Sequence, residues 1–395
     1  MEPTLSSRIK TLSTSQTIAM AERAAELKAE GVDIISLSLG EPDFDTPQYI
    51  VEAAEQAMRD KFFKYPPIVG YKDLREAICR KLKRDNNLDY DVNQIVVSTG
   101  SKQSIFNAAM VLVSPGDEVI LPSPYWVSYV EITKLVGGVP VPVKTTIEND
   151  FKMTPGQLEN AITPKTKLMI FNTPSNPSGS VYSKEELAAL GEVLKKHPQV
   201  YVIADEIYEY INFTGAFSGF AEIEEIKDRI ITVNGVSKAF AMTGWRVGYM
   251  AAHPTIAKAC AKIQSQVTSG ANSIAQKATI AALDGGKDKI QYMIDAFDKR
   301  RHLVYSLLKD IYGFKVNMPE GAFYFFPDVS SFFGKEFNGF KINNATDLSM
   351  YLLEQAKVAT VTGDAFGNPE CLRFSYATSE AELIEAFARV KKALQ

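Results

Sequence analysis

The sequence predicts an α/β protein with a large domain built on a mainly parallel central sheet, plus a smaller α+β domain formed from both chain ends. Three observations carry this expectation. Short apolar runs alternate with helix-period stretches between about Asp91 and Ala251. Several runs are unbroken, which fits strands covered on both faces, and strand–helix alternation favours parallel pairing. A chain of 395 residues, 46% of them hydrophobic, is long enough for one large and one smaller unit.

In chain order, Ser15 to Glu30 reads as an Ala- and Glu-rich helix ended by Gly31. Strand candidates follow at Ile95–Val97, Val119–Leu121, Leu168–Phe171, Val200–Ala204, Ile230–Val233 and Val247–Met250. Between them Ser101–Leu112 and Ser183–Lys196 read as helices, the second opened by Ser183 and Glu186 at capping-box spacing. Lys287–Asp310 is a long amphipathic helix. Beyond it come strand candidates at Phe314–Val316, Ala322–Phe326 and Leu372–Tyr376, and helices at Ala345–Ala356 and Ser379–Lys392. The expected division is a large domain over 46–290 and a small one over 1–45 and 291–395.

A net charge of -4 without long runs of one sign leaves no footprint for nucleic acid or an anionic membrane. Residues 1–20 carry no apolar leader segment, and no apolar stretch is long enough to span a bilayer. Cys79, Cys260 and Cys371 form no CxxC pair, and His197, His253 and His302 lack ligand spacing, so no metal is expected. These readings point to a cytoplasmic protein that works without a metal.

Ligands of open α/β sheets collect beyond the carboxyl ends of the strands. Four such ends carry unusual chemistry here. Ser98-Thr-Gly-Ser-Lys102 runs straight into a helix, offering backbone N–H groups and a positive dipole end to a phosphate at Gly100 and Ser101. Asn172-Thr-Pro-Ser-Asn-Pro-Ser-Gly179 is a rigid turn that can present the Asn176 amide. Asp205-Glu-Ile-Tyr208 closes a buried strand with a carboxylate, which needs a cation or several donors to sit there. The fourth end holds Lys238, followed by Arg246.

An amine, a carboxylate, a phenol, an amide, a guanidinium and a phosphate cradle together match the needs of pyridoxal 5'-phosphate. Lys238 would link to its aldehyde, and Asp205 would pair with its protonated ring nitrogen. Tyr208 and Asn176 would hydrogen-bond its phenolic oxygen. Arg246 and the helix start would hold its phosphate.

The segments SLGEPDFDTP, YPPIVGYKDLREA, STGSKQ, SPYW, NTPSNPSG, ADEIY, SKAFAMTGWRVGY and LRFSYA resemble those of class I pyridoxal-phosphate aminotransferases. The resemblance covers nearly the whole chain and is nearest the bacterial branch of aspartate and prephenate aminotransferases. It implies the fold type I architecture and these same cofactor roles. It adds Trp126 as a stacking partner for the pyridine, which would also border the substrate, and Ser237 as a phosphate ligand. Tyr65 would reach the phosphate from a second subunit, implying a homodimer. Where family members often carry serine, three residues before the lysine, this chain has Gly235, which puts one phosphate contact in question.

For the substrate, the resemblance implies that Arg373 clamps the α-carboxylate with help from Gly40 and Asn176. It assigns Lys102 to the distal carboxylate, with Ser15 and Thr17 closing over it. The expected reaction is a ping-pong transfer of the amino group of a dicarboxylic amino acid, aspartate first, to 2-oxoglutarate. Prephenate, alanine, aromatic or kynurenine aminotransferases are the alternatives, since all share the cofactor residues.

Overall fold

The computed structural model describes residues 4–13 and 16–395, apart from the side chains of 16–19 and 21. Its central sheet has seven strands: β1 Ile95–Ser98, β2 Glu118–Ser123, β3 Val139–Lys144, β4 Thr166–Asn172, β5 Tyr201–Asp205, β6 Ile230–Gly235 and β7 Gly248–Ala251. Their spatial order is β1-β7-β6-β5-β4-β2-β3. All neighbours are parallel except β7, which runs antiparallel to both β1 and β6. Side chains of successive residues enter different clusters: Met169 and Phe171 pack on one face, Leu168 and Ile170 on the other. Both faces are covered, which is why the strands read as continuous apolar runs.

The sequence reading does not list β3 as a strand. Its VPVPVK sequence has two prolines, which cannot donate to a ladder. The strand lies at the sheet edge beside β2, where that loss is tolerated. Phe314–Val316 is a second difference. Only Lys315 pairs there, by an isolated bridge to Asp328. Phe314 is held through its ring, which packs on Phe332 and Phe374. The expected Ala345–Ala356 helix is regular to Tyr351 and then widens over Leu352–Ala356, ending at Lys357 with φ 58°.

Outside the central sheet, Ile35–Ser36 runs parallel to Val358–Ala359, bringing an early segment beside a late one. Leu372–Ser375 is flanked by Val361–Thr362 and Tyr324–Phe325, both antiparallel to it. The helix Gln291–Lys309 bears Arg300, whose guanidinium makes a two-pronged ion pair with Asp43 at 2.6 and 2.8 Å. Thr46 donates to the Ala241 carbonyl and accepts from the Trp245 indole N–H. These bonds fasten the 40–46 segment to the loop that follows Lys238. Among the described residues, no helix is long and apolar enough to cross a membrane.

The start of the Ser101–Leu112 helix lies directly on β6 and β7. Gly235 and Gly248 face each other across that pair. A Cβ on Gly248 would stand 2.2 Å from the Ser101 amide nitrogen, and one on Gly235 would stand 2.7 Å from Ser101 Oγ. Both glycines are required by the closeness of the helix. Gly248→Ala should therefore lose about 1–3 kcal/mol of stability, the usual effect of overpacking, and weaken phosphate-dependent ligand binding with it. A urea midpoint equal to wild type would show that the helix start can move away without penalty.

Candidate active site

A cavity of about 280 Å³ opens beyond the carboxyl ends of β4, β5 and β6. The strand ends place their polar side chains into it because each strand stops where its buried apolar run stops. Asp205 ends β5, Lys238 follows β6, and the Asn172–Gly179 turn follows β4.

Four cations and one carboxylate line this cavity: Lys102, Lys238, Arg246 and Arg373 against Asp205. None of the four makes an ion pair with a carboxylate among the described residues. The Lys238 amine donates to the Gly40 carbonyl at 2.6 Å. Burial, with Arg373 and Arg246 adding repulsion against the pull of Glu41 and Asp205, lowers its pKa to about 8. About a tenth of this amine is thus neutral at pH 7, far more than for an ordinary lysine, and the neutral form is the nucleophile. Arg373 is buried, and its guanidinium donates to the Asn176 side-chain oxygen at 2.9 Å and the Ser38 carbonyl at 2.5 Å. Its Nε has no partner, and burial lowers its pKa. A buried guanidinium without a counter-ion is costly unless an anion arrives to meet it.

Asp205 receives a 2.6 Å hydrogen bond from the Tyr129 hydroxyl and a longer one from the Ile207 N–H. Burial still prevails over these donors and over Lys238, raising its pKa to about 6. Asn172 ties two strand ends together: its side chain donates to the Asp205 carbonyl and accepts from the Asn176 N–H, both at 2.8 Å. Tyr208 is buried, which holds its hydroxyl well above the ordinary phenol pKa and keeps it protonated. Its oxygen lies 2.8 Å from that of Tyr324.

The residues read as phosphate ligands come together. Gly100, at φ 79°, precedes the helix that begins at Ser101. The Arg246 guanidinium lies beside it, where a Gly100 Cβ would stand 2.4 Å from Nη2. Ser101 Oγ donates to the Asn234 carbonyl at 2.9 Å. Ser237 lines the cavity as well. Ser101 occupies the space a side chain at position 235 would need, so the missing serine there reflects a crowded helix start. Trp126 lines the same cavity, with the Lys102 amine 4.7 Å from its ring. Burial and Arg246 lower the Lys102 pKa.

Of the fifteen residues singled out in the sequence, eleven line this one cavity and Gly100 adjoins it. Tyr65 does not line it and is 94% exposed. Ser15 lies outside the described residues. Thr17 falls in the Gln16–Ala29 helix, but its side chain is likewise outside them. Sequence reasoning missed Tyr129, Asn172, Thr243 and Tyr324. Tyr129 reads as an ordinary helix aromatic until the fold brings its hydroxyl to Asp205. Tyr324 had no signal either, because only tertiary structure brings its strand to Tyr208.

The family model of class I and II aminotransferases matches residues 32–390. The chain belongs to that family. A probable aspartate/prephenate aminotransferase of Rickettsia bellii is 49% identical, over 98% of each chain. A petunia protein described as a bifunctional aspartate aminotransferase and glutamate/aspartate-prephenate aminotransferase is 48% identical, over 99% of this chain and 82% of that one. Among solved structures, the aspartate aminotransferase of Rhizobium meliloti superposes with a TM-score of 0.96 at 44% identity, over 100% of this chain and 99% of that one. The Thermus thermophilus aspartate aminotransferase with maleate reaches 0.92 at 39% identity, over the whole of both chains. The fold is that of the fold type I transferases, and this enzyme is a transaminase. Its family works with pyridoxal 5'-phosphate.

The cavity fits that cofactor. An anionic phosphate would find a helix start and Arg246, a protonated ring nitrogen would find Asp205, and an aldehyde would find an amine of lowered pKa. The same groups weaken the cofactor-free protein. Asp205 is raised in the fold to about 6 from an ordinary 3.8, so the unfolded chain loses this proton first and stability falls as pH rises from 4 to 6. Lys238 is lowered to about 8 from 10.5, so its penalty is full below pH 8 and fades only as pH rises towards 10.5. Both penalties act together at pH 7. Cofactor-free Asp205→Asn should then be more stable than wild type at pH 7, by up to about 3 kcal/mol, with no such advantage at pH 4. Urea titrations at the two pH values check this. A variant less stable at pH 7 would mean that Asp205 is not a strained group.

Proposed function

We propose that this enzyme moves the amino group of a dicarboxylic amino acid, aspartate foremost, to 2-oxoglutarate. The observation that supports this most is the pair of cations left free at the substrate end, Arg373 buried and Lys102 at the rim over Trp126. Two unpaired cations suit two carboxylates. The relatives' names point the same way, and the Thermus enzyme was solved with a dicarboxylate. Prephenate is a second reading, carried by those names. It is also a dicarboxylic keto acid, so the same two cations would serve it.

When bound, the cofactor supplies an aldehyde that links to amines and a ring that takes up electrons. The residue roles follow from the cavity. Lys238 is the amine that would hold it, and Asp205 would keep the ring nitrogen charged, with Tyr129 orienting the carboxylate. Tyr208 and Asn176 would donate to the ring oxygen, with Trp126 against the ring face. Gly100, Ser101, Ser237 and Arg246 would grip the phosphate. Arg373, backed by Gly40 and Asn176, would bind the α-carboxylate and turn the Cα–H bond towards Lys238. Lys238 Nζ, once the substrate amine has taken its place, would remove the Cα proton and deliver it on the far side of the transfer. A pKa near 8 suits both halves of that shuttle.

The homodimer belongs to the same proposal. Tyr65 is 94% exposed and neighbours Phe63 at 68%, an unusual concentration of bare aromatic surface. A second copy seated there would bury both and carry Tyr65 towards the partner's phosphate site. The division into domains 46–290 and 1–45 with 291–395, the part of Ser15 and Thr17, and the cytoplasmic location are carried with it. Sedimentation of the holoenzyme tests the dimer, and a monomer at micromolar concentration would refute it.

Lys102→Ala should lower kcat/KM for aspartate by about 10- to 150-fold, the value of one charge-assisted contact, while alanine is largely unaffected. Equal losses for both amino acids would show that Lys102 does not read the distal carboxylate. Running the same panel with prephenate as acceptor ranks the two readings.

A further inference from the structure

We propose that Tyr324 is a positioning residue that fixes Tyr208 as a hydrogen-bond donor towards the cofactor and keeps the Arg373 guanidinium against its ring. The inference rests on the reading of Tyr208 as the partner of the ring oxygen.

Tyr324 is 1% exposed and sits in the strand beside Leu372–Ser375, the strand that carries Arg373. Its ring is 4.6 Å from the Arg373 guanidinium, and its hydroxyl is 2.8 Å from that of Tyr208. The flanking Phe323 and Phe325 are equally buried and need no hydroxyl. Filling space is therefore not what distinguishes position 324. The surroundings are also shaped for the hydroxyl: a Cβ on Gly40 would stand 2.0 Å from it. Gly40 is thus obliged to be glycine by the reach of Tyr324, beyond any contact it makes with a substrate.

The consequence follows from counting protons. Two phenols share one hydrogen bond, and either oxygen can donate. Should Tyr208 donate to Tyr324, only lone pairs would remain for the cofactor's phenolic oxygen, itself an acceptor. With Tyr324 donating instead, the Tyr208 proton is free for the cofactor, and a donor that itself accepts a hydrogen bond is strengthened. Burial raises the pKa of both phenols and Arg373 opposes that rise at both, but the guanidinium lies against the Tyr324 ring, which favours Tyr324 as the donor. The Lys238 amine lies 5.9 Å from the Tyr208 ring, and Asp205 is held by Tyr129 on its own side.

The test is the pH titration of the absorbance of the Lys238-linked cofactor in the holoenzyme, with KM for aspartate measured alongside. Tyr208 lowers the midpoint by donating to the cofactor, so weakening that donor raises it. In Tyr324→Phe the midpoint should rise by about 0.1 to 0.6 pH unit, because the bond from Tyr208 remains and loses only the strengthening of about 10–30% that a second hydrogen bond gives it. KM should change by less than about 3-fold, because the ring against Arg373 remains. Tyr324→Leu should show the same rise and a higher KM as well. Tyr208→Phe should raise the midpoint further, and adding Tyr324→Phe to it should change nothing more. A wild-type midpoint in Tyr324→Phe, with Tyr208→Phe shifted, overturns the role of Tyr324 and leaves that of Tyr208 standing. An unshifted Tyr208→Phe overturns both.

Discussion

Positive charge gathered around one cavity without a counter-ion is the constraint on which the rest of the structure depends. Lys102, Lys238, Arg246 and Arg373 face a single carboxylate, Asp205. Lys238 and Arg373, held away from water, would each be more comfortable in water or in an ion pair. A fold that keeps them apart and unpaired is strained until anions enter. Phosphate and carboxylate groups would relieve it, so that strain would become affinity for the bound ligand.

Several devices hold this arrangement. The Ser101–Leu112 helix is brought onto β6 and β7 through Gly235 and Gly248, so its positive end points into the cavity. Asn172 locks the strand ends of Asp205 and Asn176 together. The Arg300–Asp43 pair and the Thr46 bonds fix the segment that delivers Gly40. Stability and function are opposed at Asp205 and Lys238, where burial acts against the charged form of each. Hydrophobic packing on both sheet faces has to offset that penalty.

Much of this was legible in the sequence, for physical reasons. Strands buried on both faces stand out as apolar runs, and the chemistry of an open sheet gathers where those runs stop. That is how Asp205, Asn176 and Lys238 could be read. What escaped depends on tertiary contact. β3 was hidden by Pro140 and Pro142, which only an edge position permits. Tyr129 and Tyr324 look like core aromatics until their hydroxyls are seen to meet Asp205 and Tyr208. The meaning of Gly235 required knowing that Ser101 fills its side-chain space. Tyr65 remains a matter for two chains together.

The most direct test of the account is to identify which lysine bonds to pyridoxal 5'-phosphate. The protein is incubated with the cofactor, reduced with borohydride, digested and mapped by mass spectrometry. The account predicts one stoichiometric adduct, on the peptide containing Lys238. A reduced adduct on Lys102 or on scattered surface lysines, with Lys238 unmodified, would contradict it.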